Sequence, residues 1–472
     1  MKKGVVLVLA ISILLPMTAL AVDVDWSGSY KLQGFRLGED IIDFAESDGD
    51  TQGFYQSLII EPTFDLGRDV KVHTGIRLYG DYWSGDHRKP GGGGETEWGE
   101  GEGSALAEKM DLDYGYAEMP FLGGKLSVGR QKANWGHGLT TADDRRDRIA
   151  YQYDLDKALG GPLSLLALYD LRQDVDINEV NTNGHLVSAA AVGYHMQSKI
   201  LWGLLGGYFM GDADKPQSED PFILDSIALV GPFMEGPVGP IDLKLAAHTL
   251  FPLNNDRDTF GDYNDDGQIV GYQSDFPDLS LLPPSSFSGE SGGLWNTFNF
   301  AIMLRPSLDF SKITDLMPQQ LVVEAQGLFV YNGSIVDPGF DSFSSMIGNA
   351  GRNTVNPTAV FNMGGAGYED DHQFLASARV DYEITPGLNA ILAGGMYHFF
   401  EYERNALGTE QVVRAEITNY FADVKLTYAI TEEASLFANY GWLGDDTAKM
   451  GQPNVSEGDP KQQFSAGVEV KF

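Results

Sequence analysis

The chain repeats one pattern along its length: apolar and polar residues alternate with a period of two. Phe464, Ala466, Val468, Val470 and Phe472 fall on one face of the last segment, with Ser465, Gly467, Glu469 and Lys471 on the other. Val72, Thr74, Ile76 and Leu78 alternate with Lys71, His73, Gly75 and Arg77. Phe298, Phe300, Ile302, Leu304, Leu308 and Phe310 alternate with Asn299, Arg305 and Asp309. Side chains on a β-strand point to opposite faces in turn, so these segments read as strands with one apolar and one polar face. The tally is about 18 strands of about ten residues, the length that a tilted strand needs to cross a bilayer. After Ala21 no segment holds a helical apolar stripe for long.

The connectors narrow the choice further. Leu66-Gly67-Arg68-Asp69, Gln197-Ser198, Ile384-Thr385-Pro386-Gly387 and Ile430-Thr431-Glu432-Glu433 are short, while 38–53, 84–108, 171–185, 251–296, 331–372 and 444–461 are long and polar. Short and long links alternate, as in a closed antiparallel barrel with turns at one end and loops at the other. Closure removes the sheet edge, which a membrane requires because lipid satisfies no backbone hydrogen bond. The apolar faces should then look outward and a wet lumen should lie behind them. Trp26, Tyr30, Tyr79, Tyr82, Trp83, Trp202, Trp295, Tyr440 and Trp442 stand near strand ends, where interfacial girdles form.

The N-terminus carries an address. Lys2 and Lys3, the apolar run Gly4 to Leu15 and Ala19-Leu20-Ala21 have the layout of a cleaved signal peptide, residues 1–21, leaving 22–472 as a single barrel domain. Composition removes other classes. Lys plus Arg number 32 against 67 Asp plus Glu, a net charge of −35, so no basic face is offered to nucleic acid. There is no cysteine, which excludes disulfide scaffolds and Cys-ligated metal centres. A mean hydropathy of −0.19 argues against helical transport proteins.

The chain resembles Gram-negative outer-membrane porins. The resemblance rests on the whole pattern and on the final strand Gln463-Phe464-Ser465-Ala466-Gly467-Val468-Glu469-Val470-Lys471-Phe472, which looks like the terminal signal of such barrels. Leu126-Ser127-Val128-Gly129-Arg130-Gln131, followed by Trp135-Gly136-His137-Gly138-Leu139, is similar to the Gly-Arg-Gln strand of alginate-export-like porins, which are 18-stranded. The resemblance implies a transmembrane β-barrel in the bacterial outer membrane, recognised by the barrel-assembly machinery, set among lipid and lipopolysaccharide and passing small solutes. Homo-oligomers are common among general porins, but no subunit stripe stands out.

The polar phase of the strands supplies the expected channel lining: Lys71, Arg77, Asp111, Asp113, Lys244, Arg305, Asp309, Glu324, Arg379, Asp381 and Glu383. Acids and bases nearly balance there, so cross-strand ion pairs or a transverse field are both expected uses. Strict alternation would aim Arg130 at lipid, which calls for a bulge or a strand end. Asp143-Asp144-Arg145-Arg146-Asp147-Arg148 reads as a charged loop; folded inward, Arg145, Arg146 and Arg148 would pair with lumen acids and narrow the channel. The surplus acid lies in the long links and would form a cation-concentrating rim.

Asp262-Tyr263-Asn264-Asp265-Asp266-Gly267-Gln268 has the oxygen spacing of half a calcium loop, with Asp262, Asn264, Asp266 and Gln268 as ligands and Gln273 where a bidentate Glu would stand. No cofactor is otherwise required. The eight histidines are scattered, with no HExxH or GxSxG, so no enzyme is expected; Asp86-His87 and Asp371-His372 are adjacent pairs and would point opposite ways on a strand. The expected function is passive diffusion. The alternatives are a plugged barrel that sheathes a partner such as an electron carrier, and an outer-membrane hydrolase.

Overall fold

The computed structural model describes residues 23–37, 51–82, 111–158, 161–173, 184–210, 227–253, 299–313, 320–331, 334, 336, 372–405, 412–443 and 461–472. The expected signal peptide lies outside the described residues. The first nine strands are β1 Asp23–Leu37, β2 Thr51–Asp65, β3 Lys71–Tyr82, β4 Asp111–Phe121, β5 Gly124–Trp135, β6 Thr141–Ala158, β7 Gly161–Gln173, β8 Gly184–His195 and β9 Ile200–Met210. The remainder are β10 Ile227–Val238, β11 Ile241–Pro252, β12 Asn299–Asp309, β13 Leu321–Tyr331, β14 Gln373–Thr385, β15 Leu388–Asn405, β16 Val412–Ala429, β17 Ala434–Leu443 and β18 Lys461–Lys471.

Each strand pairs antiparallel with its neighbours in sequence, and β1 also pairs with β18, so the 18-stranded sheet closes on itself. The seam is sealed by register pairs such as Lys31 with Glu469 and by reciprocal backbone bonds: Gly28 N–H to Phe472 O at 2.8 Å and Phe472 N–H to Gly28 O at 3.1 Å. Gly28 is required there, because a Cβ would sit 2.5 Å from Ile59 O and 2.8 Å from the Phe472 ring. The short turns gather at the same end as this seam. Between β4 and β5 the chain reverses through Leu122 and Gly123, both at positive φ.

The faces sort as a membrane demands. On β12, Ala301 and Met303 are fully buried, while Ile302 and Leu304 between them are 40% and 46% exposed. Leu392, Leu426, Leu436, Val128, Ile149 and Leu165 likewise point outward and are exposed. Inward positions include Gln33, Ser57, Ser127, Asp170, Ser188, Gln326, Ser377, Asp423 and Ser465, all buried. A water-soluble barrel would reverse this arrangement. Strands of 10 to 18 residues are long enough to span an apolar band about 25 Å tall when tilted by about 40°. Outward Tyr169 and His185 stack and share a 2.8 Å hydrogen bond at the loop end, and Tyr440 donates to Gln462 there.

Two expectations need correction. The run Asp143–Arg148 is no loop: β6 begins at Thr141, and these residues pair with β5. The inner wall is not polar throughout. Leu166 and Leu168 on β7, Leu186 and Ala190 on β8, Leu205 and Phe209 on β9, Ile227 and Leu229 on β10 and Leu250 on β11 form one inward apolar cluster. Arg130 does look outward and is exposed, beside Asp147; its register is regular, and pairing between β4 and β5 stops at this residue.

Candidate functional site

The inward apolar cluster has a cause in the β5–β6 hairpin. Pairing of β5 with β4 runs from Gly124 to Arg130 and ends there. Pairing of β6 with β7 starts at Asp147 and runs to Ala158. Between these points β5 and β6 continue to pair with each other alone, through Gln131–Arg146, Lys132–Arg145, Ala133–Asp144 and Trp135–Thr141. Residues 131–146 therefore form a two-stranded ribbon that has left the wall on both sides.

The ribbon folds inward over β7–β9, and Trp135 packs on the apolar cluster that those strands present. Its tip reaches β10 and β11. The Trp135 indole N–H donates to Gly231 O at 2.7 Å, and the ring meets Phe233 edge-on at 5.0 Å. Gly231 makes the seat: a Cβ there would stand 3.2 Å from the indole nitrogen. Thr140 Oγ1 lies 3.2 Å from His248 Nδ1. Leu139, with no exposed surface, enters a second inward cluster with Ala246, Ala301, Met303, Leu328, Val330, Leu375, Tyr397 and Phe421.

The tip turns sharply. Gly136, His137 and Gly138 all adopt positive φ, at 64°, 55° and 88°. Glycine adopts this geometry without a Cβ clash, and His137 tolerates it better than a β-branched residue would. The His137 ring is held by Met234 O at 3.3 Å and Glu235 at 3.7 Å and lies edge-on to Phe233. Burial pushes its pKa below the ordinary imidazole value, against the opposing pull of the Met234 carbonyl and Glu235.

Charged groups fix the ribbon from two sides. Toward β2–β4, Lys132 pairs with Glu61 at 2.7 Å and lies 4.5 Å from the Tyr114 ring, whose hydroxyl donates to the same carboxylate at 2.9 Å. Arg145 donates twice to Asp113 Oδ2, at 2.9 and 2.7 Å, and Arg77 approaches Asp113 Oδ1 at 3.4 Å. Toward β7, Arg146 and Arg148 converge on Asp170, which has no exposed surface, at 3.1 and 2.8 Å. Arg146 also holds Asp144 at 3.0 Å and Thr141 at 2.9 Å. Arginine suits this work because its planar fork binds carboxylates in pairs.

The other expected lining residues are spread around the wall. Lys71 pairs with Asp65 at 3.8 Å, and Lys244 with Glu235 at 3.8 Å. Arg305 donates to Gln326 Oε1 at 2.8 Å. Arg379 stands between Glu324 at 3.9 Å and Asp381 at 3.2 Å. Asp309 is drawn into the turn end, where it accepts from Ser311 N–H at 3.0 Å and pairs with Lys312 at 3.4 Å. Glu383 lies at a register shift between β14 and β15. Asp111 opens β4, and its side chain lies outside the described residues. So do the calcium-loop candidates Asp262, Asn264, Asp266 and Gln268 and most of the acidic links. Glu61 belongs to the polar phase that the sequence assigns to the lumen, whereas Trp135, Asp170 and Tyr114 are lumen groups that the alternation does not single out. The Trp135-Gly136-His137-Gly138 string was the available signal, since two glycines around one residue mark a forced turn.

No protein-family model matches the chain, and no curated protein is similar to it in sequence. Solved structures are similar in fold. A BenF-like porin from Pseudomonas fluorescens Pf-5 superposes with a TM-score of 0.51 at 10% identity, over 95% of this chain and 98% of that one. OccK9 (OpdG) of Pseudomonas aeruginosa gives 0.51 at 10% identity and OccK8 (OprE) 0.51 at 9%, each over 95% of this chain and 98% of its own. The shared feature is the barrel. The resemblance to alginate exporters finds no support in these three.

Proposed function

We propose that this chain is an outer-membrane porin, a passive channel for small polar solutes or ions, with the ribbon 131–146 as its constriction. The observation that carries this reading is the departure of that ribbon from the wall. A hairpin folded into a barrel narrows the lumen, and here it covers an apolar bed on one side and meets fixed charges on the other. The solute path then runs past the charged sector of β16–β18 and β1–β6. Arg77, Arg145, Arg146 and Arg148 set the field at the narrowing, and their paired carboxylates hold that field in place. The structures similar in fold are described as porins, which agrees with this reading. Outward apolar strands place the barrel in lipid, and an acidic rim from the long links would gather cations at the mouth. Calcium at Asp262, Asn264, Asp266 and Gln268 would staple one of those links. No chemical step is assigned.

Purified, folded protein in a planar bilayer tests the reading: stepwise ion currents are expected. A second reading, a plugged barrel that sheathes a partner, draws on the buried apolar cluster around Leu139 and Met303. It requires folded barrels that stay electrically silent.

A further inference from the structure

The wall that faces the ribbon's bed carries an unusual pair of cations. Phe437 on β17 points inward and lies over Gly467 of β18, where a Cβ would stand 2.8 Å from its Cζ; glycine is what lets the ring lie on the wall. The Lys31 ammonium on β1 is 5.3 Å from the centroid of that ring, and the Lys425 ammonium on β16 is 5.9 Å from it. The face of an aromatic ring attracts cations, so this one ring has two positive charges within about 6 Å of its centre.

The other inward cations described above each have a carboxylate or amide partner. Lys31 and Lys425 have no carboxylate within ion-pair distance among the described residues. Glu469 faces Lys31 in register and its charge acts on that ammonium beyond ion-pair distance, while Lys471 engages the same carboxylate at 3.5 Å. Asp423, two residues from Lys425 on the same strand face, is buried in the wall. Three ammonium groups, Lys31, Lys425 and Lys471, are thus gathered around the single partly exposed carboxylate of Glu469, and a mobile counter-ion relieves the surplus positive charge.

We propose that Lys31 and Lys425 form an anion subsite in the lumen, which takes a small doubly charged oxyanion of the inorganic phosphate type during passage. Each ammonium carries three donors, and an oxyanion presents acceptors to both at once. A single chloride neutralises only one of the two charges. The subsite gives an acidic protein a local preference for anions at this level of the channel. It rests on the channel reading above.

The test uses the full mature barrel in planar bilayers, with potassium chloride carrying the current and inorganic phosphate added stepwise. Wild-type current should fall to a saturating level. The double variant Lys31→Gln/Lys425→Gln should lose this block, each single variant should need about tenfold more phosphate for half-block, and the Arg/Arg double should retain it. Lys199→Gln, in the short turn between β8 and β9, should behave as wild type. Heat-dependent gel mobility reports folding, and if the double variant does not fold the two singles decide. Current without phosphate block, or block unchanged in the Gln variants, overturns the subsite and leaves the channel standing. Silent wild-type protein overturns the channel reading, and the subsite with it.

Discussion

The Trp135 indole donates to the backbone carbonyl of Gly231 at 2.7 Å, although their strands β5 and β10 are separated by four others in the sheet. Only a hairpin that has left the wall makes this contact. It converts an ordinary β-hairpin into an internal beam, and the buried apolar residues beneath it are the surface on which the beam rests.

Removing the indole should free the tip. Trp135→Ala loses both the hydrogen bond and the packing on Phe233, and truncations of this size cost about 3–5 kcal/mol. The expected outcome is a larger, noisier single-channel conductance with a lower midpoint of thermal unfolding. An unchanged conductance would mean that the tip does not limit the path.

Asp170 anchors the other side of the ribbon. It is fully buried and binds both Arg146 and Arg148, so Asp170→Asn leaves two guanidinium groups facing a neutral amide. Breaking one partner of a buried ionic set costs about 3–5 kcal/mol. Denaturant unfolding in detergent should show a loss of that order, and Arg148→Met alone should show less because Arg146 still compensates the carboxylate.

Acid should loosen the tip through His137. Burial holds its pKa below the ordinary imidazole value, so the unfolded or undocked tip binds the proton more readily than the docked one. Docking is complete above the ordinary imidazole range and weakens as pH falls through about 6.5. Current fluctuations should therefore grow between neutral and mildly acidic pH, and His137→Gln should flatten that part of the profile. Glu235, Lys244 and Arg305 surround the ring and remain in both proteins.

The two faces of β12 should respond oppositely to charge. Leu304→Arg places a cation on the lipid face near mid-strand, a change that costs about 2–4 kcal/mol at the bilayer midplane. Ser307→Arg faces inward, opposite Glu324 in register, and should refold into vesicles as well as wild type.

Much of this was legible in the sequence, for a physical reason. A barrel whose outer face meets lipid must alternate apolar with polar, and Phe464 to Phe472 or Phe300 to Leu308 show that rhythm plainly. Turn and loop lengths then give the closure. The rhythm fails where both faces are apolar, as in Ile200-Leu201-Trp202-Gly203-Leu204-Leu205 on β9, so the bed beneath the ribbon was hidden. It fails again in Asp143–Arg148, where every residue is charged and no contrast marks the strand. Contacts such as Trp135 with Gly231 join residues 96 positions apart, which local pattern does not reach.

The absence of native cysteine allows the most direct test of the account. Single cysteines at Leu304, Leu392, Lys31 and Lys425, introduced into the folded barrel in vesicles, would be exposed to a water-soluble, membrane-impermeant thiol reagent. The account predicts rapid labelling at Lys31→Cys and Lys425→Cys, with a drop in current, and protection by lipid at Leu304→Cys and Leu392→Cys. Labelling at the two leucine positions with protection at the two lysine positions would contradict it.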